Sequence, residues 1–156
     1  MSMTLDRSSR KVVARIKGLN KLTKEGLEAA AHTSGKGLVK ATSTEILRKP
    51  KGGRTYIRVD RIGRRRKHIA SAPGETHANM TGTLRRSLGF NASSKRLEFG
   101  YGVKRKKAPY YAGFVEFGTT KMAPRPSLEN GIKSQHRNFQ SNIDREIANR
   151  INGRVL

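Results

Sequence analysis

The clearest pattern of apolar positions lies near the end of the chain, after Pro124 and Pro126. Apolar side chains recur there every three to four residues: Leu128, Ile132, Phe139, Ile143, Ile147 and Ile151. His136 fills the gap in this stripe, and Gly153 ends it. Ser127 belongs to the residue types that commonly cap the start of a helix. The pattern therefore predicts a long C-terminal amphipathic helix that is capped by Ser127 and buries one face.

A second helical pattern occupies the first third of the chain. Small or apolar residues repeat there at the same spacing: Leu27, Ala31, Ser34, Leu38, Ala41 and Ile46. Thr23 predicts the N-cap of this helix, and Pro50 predicts its end. The small side chains predict close packing against a sheet. Gly35 and Gly37 each weaken a helix by about 1 kcal/mol relative to Ala, which leaves room for a kink.

The residues before Thr23 show no such repeat. Within Lys11–Leu19 stands the short apolar run Val12–Ile16, which predicts a strand or an extended segment leading into the helix. Residues 1–10 lack the apolar core of a signal peptide and are expected to form a flexible N-terminus. No stretch approaches the roughly 18 apolar residues of a membrane span, so we expect a soluble protein made in the cytoplasm.

Short strands and turns are predicted between the two helices. Alternating residues over Thr55–Ile62 predict a strand within a long basic excursion, residues 51–80, which we interpret as a loop or a hairpin arm. Residues 81–88 predict a short helical turn that leads into a strand. Leu88–Ala92 and Arg96–Tyr101, separated by three polar residues, are predicted to pair as a hairpin.

A short aromatic helix is predicted after Pro109. Tyr110, Phe114 and Phe117 stand at helical spacing, and Gly118 closes the segment. The order of elements lacks the alternation of a parallel sheet. It predicts one α+β domain over residues 1–156, in which a small antiparallel sheet is packed by an N-terminal helix and a long C-terminal helix.

Charge narrows the classes of partner. The 156 residues include 34 Lys and Arg against 11 Asp and Glu, a formal net charge of +23, which favours polyanions or acidic proteins. Two clusters concentrate this charge: Arg64, Arg65, Arg66 and Lys67, and then Lys104, Arg105, Lys106 and Lys107. We predict that they contact DNA phosphates or an acidic partner; the alternative is solvated loop charge. Motifs for base-specific readout are absent.

The sequence offers little catalytic chemistry. There is no cysteine, and the four histidines stand too far apart for a metal-ligand spacing: His32, His68, His77 and His136. The acidic residues are scattered and form no acid–base pair or two-metal set. There is no phosphate-binding glycine loop. We therefore expect no enzyme activity, no metal and no cofactor.

Three stretches, which we call the motif blocks, carry a family resemblance. The first is Ala-Ser-Ala-Pro-Gly-Glu at 70–75, continued by Thr-Gly-Thr-Leu-Arg-Arg-Ser-Leu at 81–88. The second is Tyr-Ala-Gly-Phe-Val-Glu-Phe-Gly-Thr at 111–119, and the third is Ala-Pro-Arg-Pro-Ser-Leu at 123–128. In content, order and spacing they resemble the gene-product-ten-like family of neck and tail-completion proteins of long-tailed bacteriophages. Ser127 departs from that pattern, which usually has Phe there.

The resemblance, which covers about residues 19–150, implies a structural virion protein at the head–tail junction. Such proteins form rings between the portal-bound adaptor and the tail tube, around the DNA path. Their partners are copies of themselves and the neck and tail proteins on either side. A ring of six copies would match the tail tube and one of twelve the portal, and the sequence does not choose. Contact with packaged DNA is a further expectation, and contact with a membrane is not.

The second motif block is our candidate for a subunit or partner interface. Its candidate residues combine aromatic rings, one carboxylate and a close-packing glycine: Tyr111, Phe114, Glu116, Phe117, Gly118 and Thr119. The alternative is that the block belongs to the core alone. Glu116, a carboxylate in an apolar segment, is expected to pair with an arginine of the same or the next subunit. The rival function is a free protein that binds nucleic acid regardless of sequence.

Overall fold

A computed structural model describes residues 7–48, 51–104 and 107–153. Its eight elements follow in chain order: α1 (Arg7–Leu47), β1 (Thr55–Val59), β2 (Arg65–Ile69), α2 (Thr83–Ser87), β3 (Leu88–Ala92), β4 (Leu97–Tyr101), α3 (Ala112–Phe117) and α4 (Ser127–Asn152). The strands form two separate antiparallel pairs, β1 with β2 and β3 with β4. The predicted α+β class is confirmed.

The two long helices, α1 and α4, lie antiparallel along each other. Gly26 of α1 adjoins Ile147 near the end of α4, and Thr42 adjoins Gly131 near its start. A Cβ at Gly131 would overlap the Thr42 hydroxyl, so glycine permits this close approach. The C-terminal part of the stripe predicted for this helix therefore faces α1, with Ile143, Ile147 and Ile151 partly covered, whereas Ile132 and Phe139 are 50% and 40% exposed.

The start of α1 differs from the sequence prediction. Val12–Ile16 is helical and not extended, because nothing between Arg7 and Leu47 breaks the helix and β-branched residues cost only some tenths of a kcal/mol each in a helix. Thr23 is not the N-cap; its hydroxyl donates to the Leu19 carbonyl inside α1 at 2.9 Å. Residues 10–21 are exposed. Residues 1–6 lie outside the described residues.

The hairpin of β3 and β4 packs on α1 at its glycines. Leu88 pairs with Tyr101 and Ala92 with Leu97, as the predicted hairpin requires. The ring of Phe90 lies directly against Gly35 and meets His32 edge-on, with ring centroids 5.3 Å apart. Gly35 is therefore a point of close approach between helix and sheet, and α1 continues through it.

The other hairpin, β1 with β2, forms the outer part of the basic excursion predicted for residues 51–80, and we call this hairpin the arm. Residues 70–80 instead run back along the body of the molecule. β1 ends at Val59, three residues before the predicted end, because the chain reverses over residues 60–64. One oxygen of the Asp60 carboxylate accepts from the backbone N–H groups of Ile62 and Arg64, and Gly63 has a positive φ of 77°. Most of the first basic cluster therefore lies in strand β2.

The buried core is small, as the low hydrophobic content of 34% predicts. Its apolar members are few and mostly small: Ala30, Ala31, Leu38, Ile46, Leu84, Leu88 and Ala112. Buried polar residues are about as numerous as the apolar ones in the described residues, and several of them gather where α3 meets the start of α4. That meeting point is the candidate site.

Candidate functional site: the junction at the start of the C-terminal helix

The start of α4 is capped by a carboxylate from another helix. The first backbone N–H groups of a helix have no partner within it. Glu116 of α3 supplies one: its Oε2 accepts from Ser127 at 3.1 Å, and its Oε1 accepts from Leu128 at 2.8 Å and Glu129 at 3.4 Å. The predicted cap, Ser127, is instead the first helical residue. That prediction was wrong because the true cap is remote in sequence.

Glu116 is held in place by the backbone around Gly118. The N–H of Gly118 closes α3 by donating to Phe114 at 2.9 Å, and its φ is 78°. A Cβ on Gly118 would lie 2.6 Å from the carbonyl oxygen of Met122, so the turn requires glycine. Arg125 N–H then donates to the Val115 carbonyl at 2.9 Å, which fastens the third motif block to the second.

The Glu116 carboxylate is almost fully buried, at 6% exposure. The sequence predicted that Glu116 pairs with an arginine. Within the described residues of this chain, its carboxylate instead accepts hydrogen bonds from backbone N–H groups. Burial raises the pKa of the Glu116 carboxyl, and the three N–H donors at the helix start oppose that rise. The side chain thus joins the end of α3 to the start of α4.

Ser127 connects the junction to the first motif block. Its hydroxyl lies 2.6 Å from Nδ1 of His77, accepts from the His77 backbone N–H at 3.3 Å, and donates to the Arg125 carbonyl at 3.3 Å. Burial lowers the pKa of His77 to about 4, so the ring is neutral at physiological pH. Burial also raises the pKa of Tyr101, whose hydroxyl lies near Ser127.

Serine, histidine and glutamate side chains close together invite comparison with a nucleophilic relay, and the geometry here does not match one. Ser127 is completely buried, so its hydroxyl has no access to a substrate. The Glu116 carboxylate contacts backbone N–H groups and does not orient His77. These three side chains therefore serve to join elements of the fold.

The first motif block completes the junction. Arg125 donates from Nε and Nη2 to the Ser71 carbonyl at 3.3 and 3.2 Å, and the Gly74 N–H donates to the Pro124 carbonyl at 3.0 Å. Glu75 accepts from the N–H groups of Ala72 at 2.8 Å and Gly52 at 3.1 Å, and these bonds lower the pKa of its carboxyl. All three motif blocks thus meet around the first turn of α4.

The predicted interface residues divide between the inside and the outside of the molecule. Glu116 is buried, and Tyr111 and Gly118 are half-buried. Phe114, Phe117 and Thr119 are exposed, and Phe117 reaches 82%. Tyr110, which precedes the predicted set, is 90% exposed and meets the ring of Tyr111 edge-on. We call Tyr110, Phe114 and Phe117 the aromatic face.

The two basic clusters lie apart from the junction's polar centre. Arg64, Arg65, Arg66 and Lys67 are all exposed on the arm. Lys104 and Lys107 are exposed in the segment after β4, and Lys104 has a positive φ of 57°. Arg105 and Lys106 lie outside the described residues. In the described part of the chain, no three His, Asp or Glu side chains come together as a metal site.

Sequence reasoning missed the residues that hold the junction together, chiefly His77, Ser71 and Arg125. The hydrogen-bond partners of these residues lie about 50 residues away along the chain, and a local sequence pattern cannot predict such a contact. The available signal was the grouping of the motif blocks, which contain or flank all of them.

Comparison with known proteins gives no match: no family model, no curated protein and no solved structure is significantly similar to this chain. Among the helices of residues 7–48, 51–104 and 107–153, none has the length and apolar character needed to cross a membrane.

Proposed function

We propose that this chain is a structural, non-enzymatic subunit of the neck of a tailed bacteriophage. It would act as a head–tail joining or tail-completion protein, in a ring of six or twelve copies between the portal side and the tail tube. The virion would then be its place of action and neighbouring neck and tail proteins its partners.

The junction is the observation that supports this proposal. The resemblance to neck proteins rests on three motif blocks; 35 residues separate residue 75 of the first block from the second block, which residues 120–122 separate from the third. Fortuitous matches at such distances have no reason to converge in space. Here the blocks share one hydrogen-bonded centre, with Glu116 on Ser127 and Leu128, and Arg125 on Ser71. They behave as one structural unit, as family-defining motifs do.

The aromatic face adds a surface that fits assembly. Tyr110, Phe114 and Phe117 expose large rings on and beside a short helix whose other side is fixed by Glu116. Aromatic residues are enriched at the buried centres of protein interfaces. In a ring closed by rotation, such a face meets a different surface of the next copy.

Electron microscopy of phage particles that lack this gene product tests the proposal. We expect full heads separated from finished tails, or tails of abnormal length if the protein terminates the tail. Supplying the wild-type chain should restore joined particles, and supplying Phe117→Ser should not, although this exposed substitution leaves the isolated chain folded. Normal infectious particles without the gene product would contradict the proposal.

A specific observation favours one second candidate, a free protein that binds nucleic acid regardless of sequence. The arm exposes a dense group of basic side chains that do not contribute to the core. This candidate needs the arm alone and gives no role to the aromatic face. Normal particles in the experiment above, together with DNA binding by the purified chain, would favour it.

A further inference from the structure

The arm is a nearly free-standing two-stranded ribbon. Every residue of β1 is exposed, and so are Arg65, Arg66 and Lys67 of β2, whereas His68 and Ile69 at the base of the ribbon are half-buried. An isolated hairpin of two strands is marginally stable in water. A ribbon that the fold holds out in this way has two open faces available to a partner.

Positive charge lies on both faces of the ribbon. Residues 54–67 contain seven Lys and Arg and one Asp, a net charge of +6. Antiparallel pairing sets Arg58 opposite Arg66 on one face. It sets Val59 opposite Arg65 and Ile57 opposite Lys67 on the other. Among these seven basic residues the structure pairs Arg66 with an acidic side chain, that of Asp60, at 3.5 Å.

Two like charges directly opposite each other destabilise a strand pair. Arg58 and Arg66 occupy such a pair, and the neighbouring positions add further positive charge. The arrangement therefore carries a local cost that an anionic partner would remove. A flat acidic surface would neutralise one face and leave the other unpaired. A groove lined by anions on both walls would neutralise both.

We propose that the arm inserts into the major groove of duplex DNA, with basic side chains on both faces contacting the phosphates of the two groove walls. The major groove, about 12 Å wide, admits a two-stranded ribbon. Arginine and lysine contacts to phosphates bind without reading sequence. The inference rests on the proposed function, since a neck ring surrounds the DNA path, and it names the partner of the arm.

The apolar residues of the arm fit the same partner. Ile57 and Val59 are exposed on one face, and Ile62 is 68% exposed at the tip. Apolar side chains that enter a groove contact thymine methyl groups. Ile57 and Val59 share the face of Lys67 and Arg65 that meets a groove wall, whereas Ile62 at the tip enters the groove, and a partner that offered charge alone would leave Ile62 in water.

The base of the arm is fastened to the junction. The ladder continues through Gly53 N–H to the Ala70 carbonyl and Ala70 N–H to the Arg54 carbonyl, both at 3.0 Å. A Cβ at Gly53 would lie 2.6 Å from the Ala70 carbonyl oxygen, so the two segments meet as closely as backbone allows. Glu75 then ties Gly52 to Ala72. The arm is therefore directed by the same residues that surround α4.

The test is the salt dependence of binding of the full chain to a duplex of about 20 base pairs, roughly two helical turns, of mixed sequence. Fluorescence anisotropy would follow the wild type and a triple variant, Arg58→Gln with Arg65→Gln and Lys67→Gln. If each side chain neutralises one phosphate, the slope of log affinity against log salt falls by about 0.9 for each, or about 2.7 in all.

A matched control removes the same charge elsewhere. Arg15→Gln with Lys17→Gln and Lys21→Gln lies on the exposed start of α1 and gives the same net charge. We expect this variant to keep the wild-type slope. An equal fall in both variants would show a response to overall charge, and the inference would be overturned. Far-UV circular dichroism checks that both variants remain folded.

Two further measurements decide the class of partner. Ile62→Ser should weaken duplex binding at every salt concentration without changing the slope, because it removes apolar contact only. Binding to the duplex should exceed binding to single-stranded DNA of equal length and to polyglutamate. Equal or tighter binding to polyglutamate would indicate that the partner of the arm is an acidic protein. Equal binding to single-stranded DNA would contradict insertion into the major groove.

The proposal that the arm binds DNA and the proposal that the chain is a neck protein can be tested independently. Phage carrying the arm triple variant would be examined for head–tail joining beside phage that lack the gene product. Separated heads and tails without the gene product, together with an unchanged salt slope in the arm variant, would overturn the arm's role and leave the neck proposal standing. Loss of DNA binding by the arm variant with normal particles in the gene deletion would do the reverse.

Discussion

The junction and the arm are joined through residues 51–54 and 70–75, yet they use polar residues in opposite ways. At the junction, charged and polar side chains are buried and bonded to backbone: Glu116 to the start of α4, and Arg125 to Ser71. On the arm, charged side chains are exposed, and two like charges, Arg58 and Arg66, stand opposite each other, with Asp60 beside Arg66 at 3.5 Å. The polar groups of the first region find their partners within one chain, and the exposed charges of the second are those for which we propose a DNA partner.

Because of this difference, we expect substitutions in the two regions to affect different properties, stability in one and binding in the other. A buried polar group whose partner is removed is costly, because water cannot replace the lost bond. An exposed charge contributes little to folding, because solvent and salt screen it. We therefore expect changes at the junction to reduce the free energy of unfolding and changes on the arm to reduce binding while stability is kept.

The largest effect should follow Glu116→Ala. It leaves the N–H groups of Ser127, Leu128 and Glu129 without their acceptor, so we expect a loss of roughly 2–4 kcal/mol in the free energy of unfolding, measured with urea. Glu129→Ala is the matched control. It removes an exposed carboxylate from the same turn and should cost less than about 1 kcal/mol. Equal losses of stability in Glu116→Ala and Glu129→Ala would contradict the distinction between a buried cap and an exposed charge.

The pH dependence of stability should reveal His77. Its pKa is about 4 in the folded chain against 6.5 for a free side chain, so the unfolded chain binds the proton first. Stability from this group is full above pH 6.5 and is lost as the pH falls towards 4, by about 3 kcal/mol at most. Glu116, whose pKa is raised, acts in the opposite direction in acid.

Comparison of the wild type with His77→Asn separates the two groups. Urea unfolding at a series of pH values between 4 and 7 should show a flatter dependence in the variant, whatever its absolute stability. A parallel pair of curves would mean that His77 titrates normally and that the junction is open to water.

Two glycines of α1 give a smaller contrast between buried and exposed positions in one helix. Gly35→Ala should destabilise by about 1–3 kcal/mol, because the new methyl group overlaps the ring of Phe90. Gly18→Ala should stabilise by about 0.5–1 kcal/mol, since nothing lies within 4 Å and Ala favours the helix. Thermal unfolding measures both, and effects of the same sign would contradict the described packing.

The smallest effect concerns the arm. Arg58→Thr removes one member of the repelling pair and introduces a strand-forming residue, so the arm itself should be stabilised by a few tenths of a kcal/mol. Hydrogen exchange of the amides of β1 and β2 should become slower at low salt. The difference should shrink at high salt, where the repulsion is screened. Faster exchange would show that Arg58 supports the ribbon.

Local patterns were sufficient for much of the fold. α4, the hairpin of β3 and β4, and the short helices were predicted because periodicity and turn residues act over a few neighbours. The strand predicted at Val12–Ile16 failed for the same reason: β-branched residues are only a weak local preference, and an uninterrupted helix overrides it. The arm was predicted as a loop or hairpin, and its strands resolve that alternative.

The contacts of the candidate site could not be predicted from local sequence patterns. Ser127 has a capping side chain and stands at a helix start, but Glu116, 11 residues earlier, takes the role because α3 folds back onto α4. His77 reaches Ser127 across 50 residues. Sequence identified the blocks that contain or flank these residues, and only the fold shows which of their atoms meet.

The length of α1 has a consequence for the dimensions of this chain in solution. Its 41 residues span about 60 Å, whereas the 26 residues of α4 span about 40 Å, so roughly 20 Å of α1 runs past its partner. A compact chain of 156 residues has a radius of gyration of about 15 Å. We therefore expect solution scattering to give a radius of gyration above that of a compact chain of this length, because α1 alone is about 60 Å long.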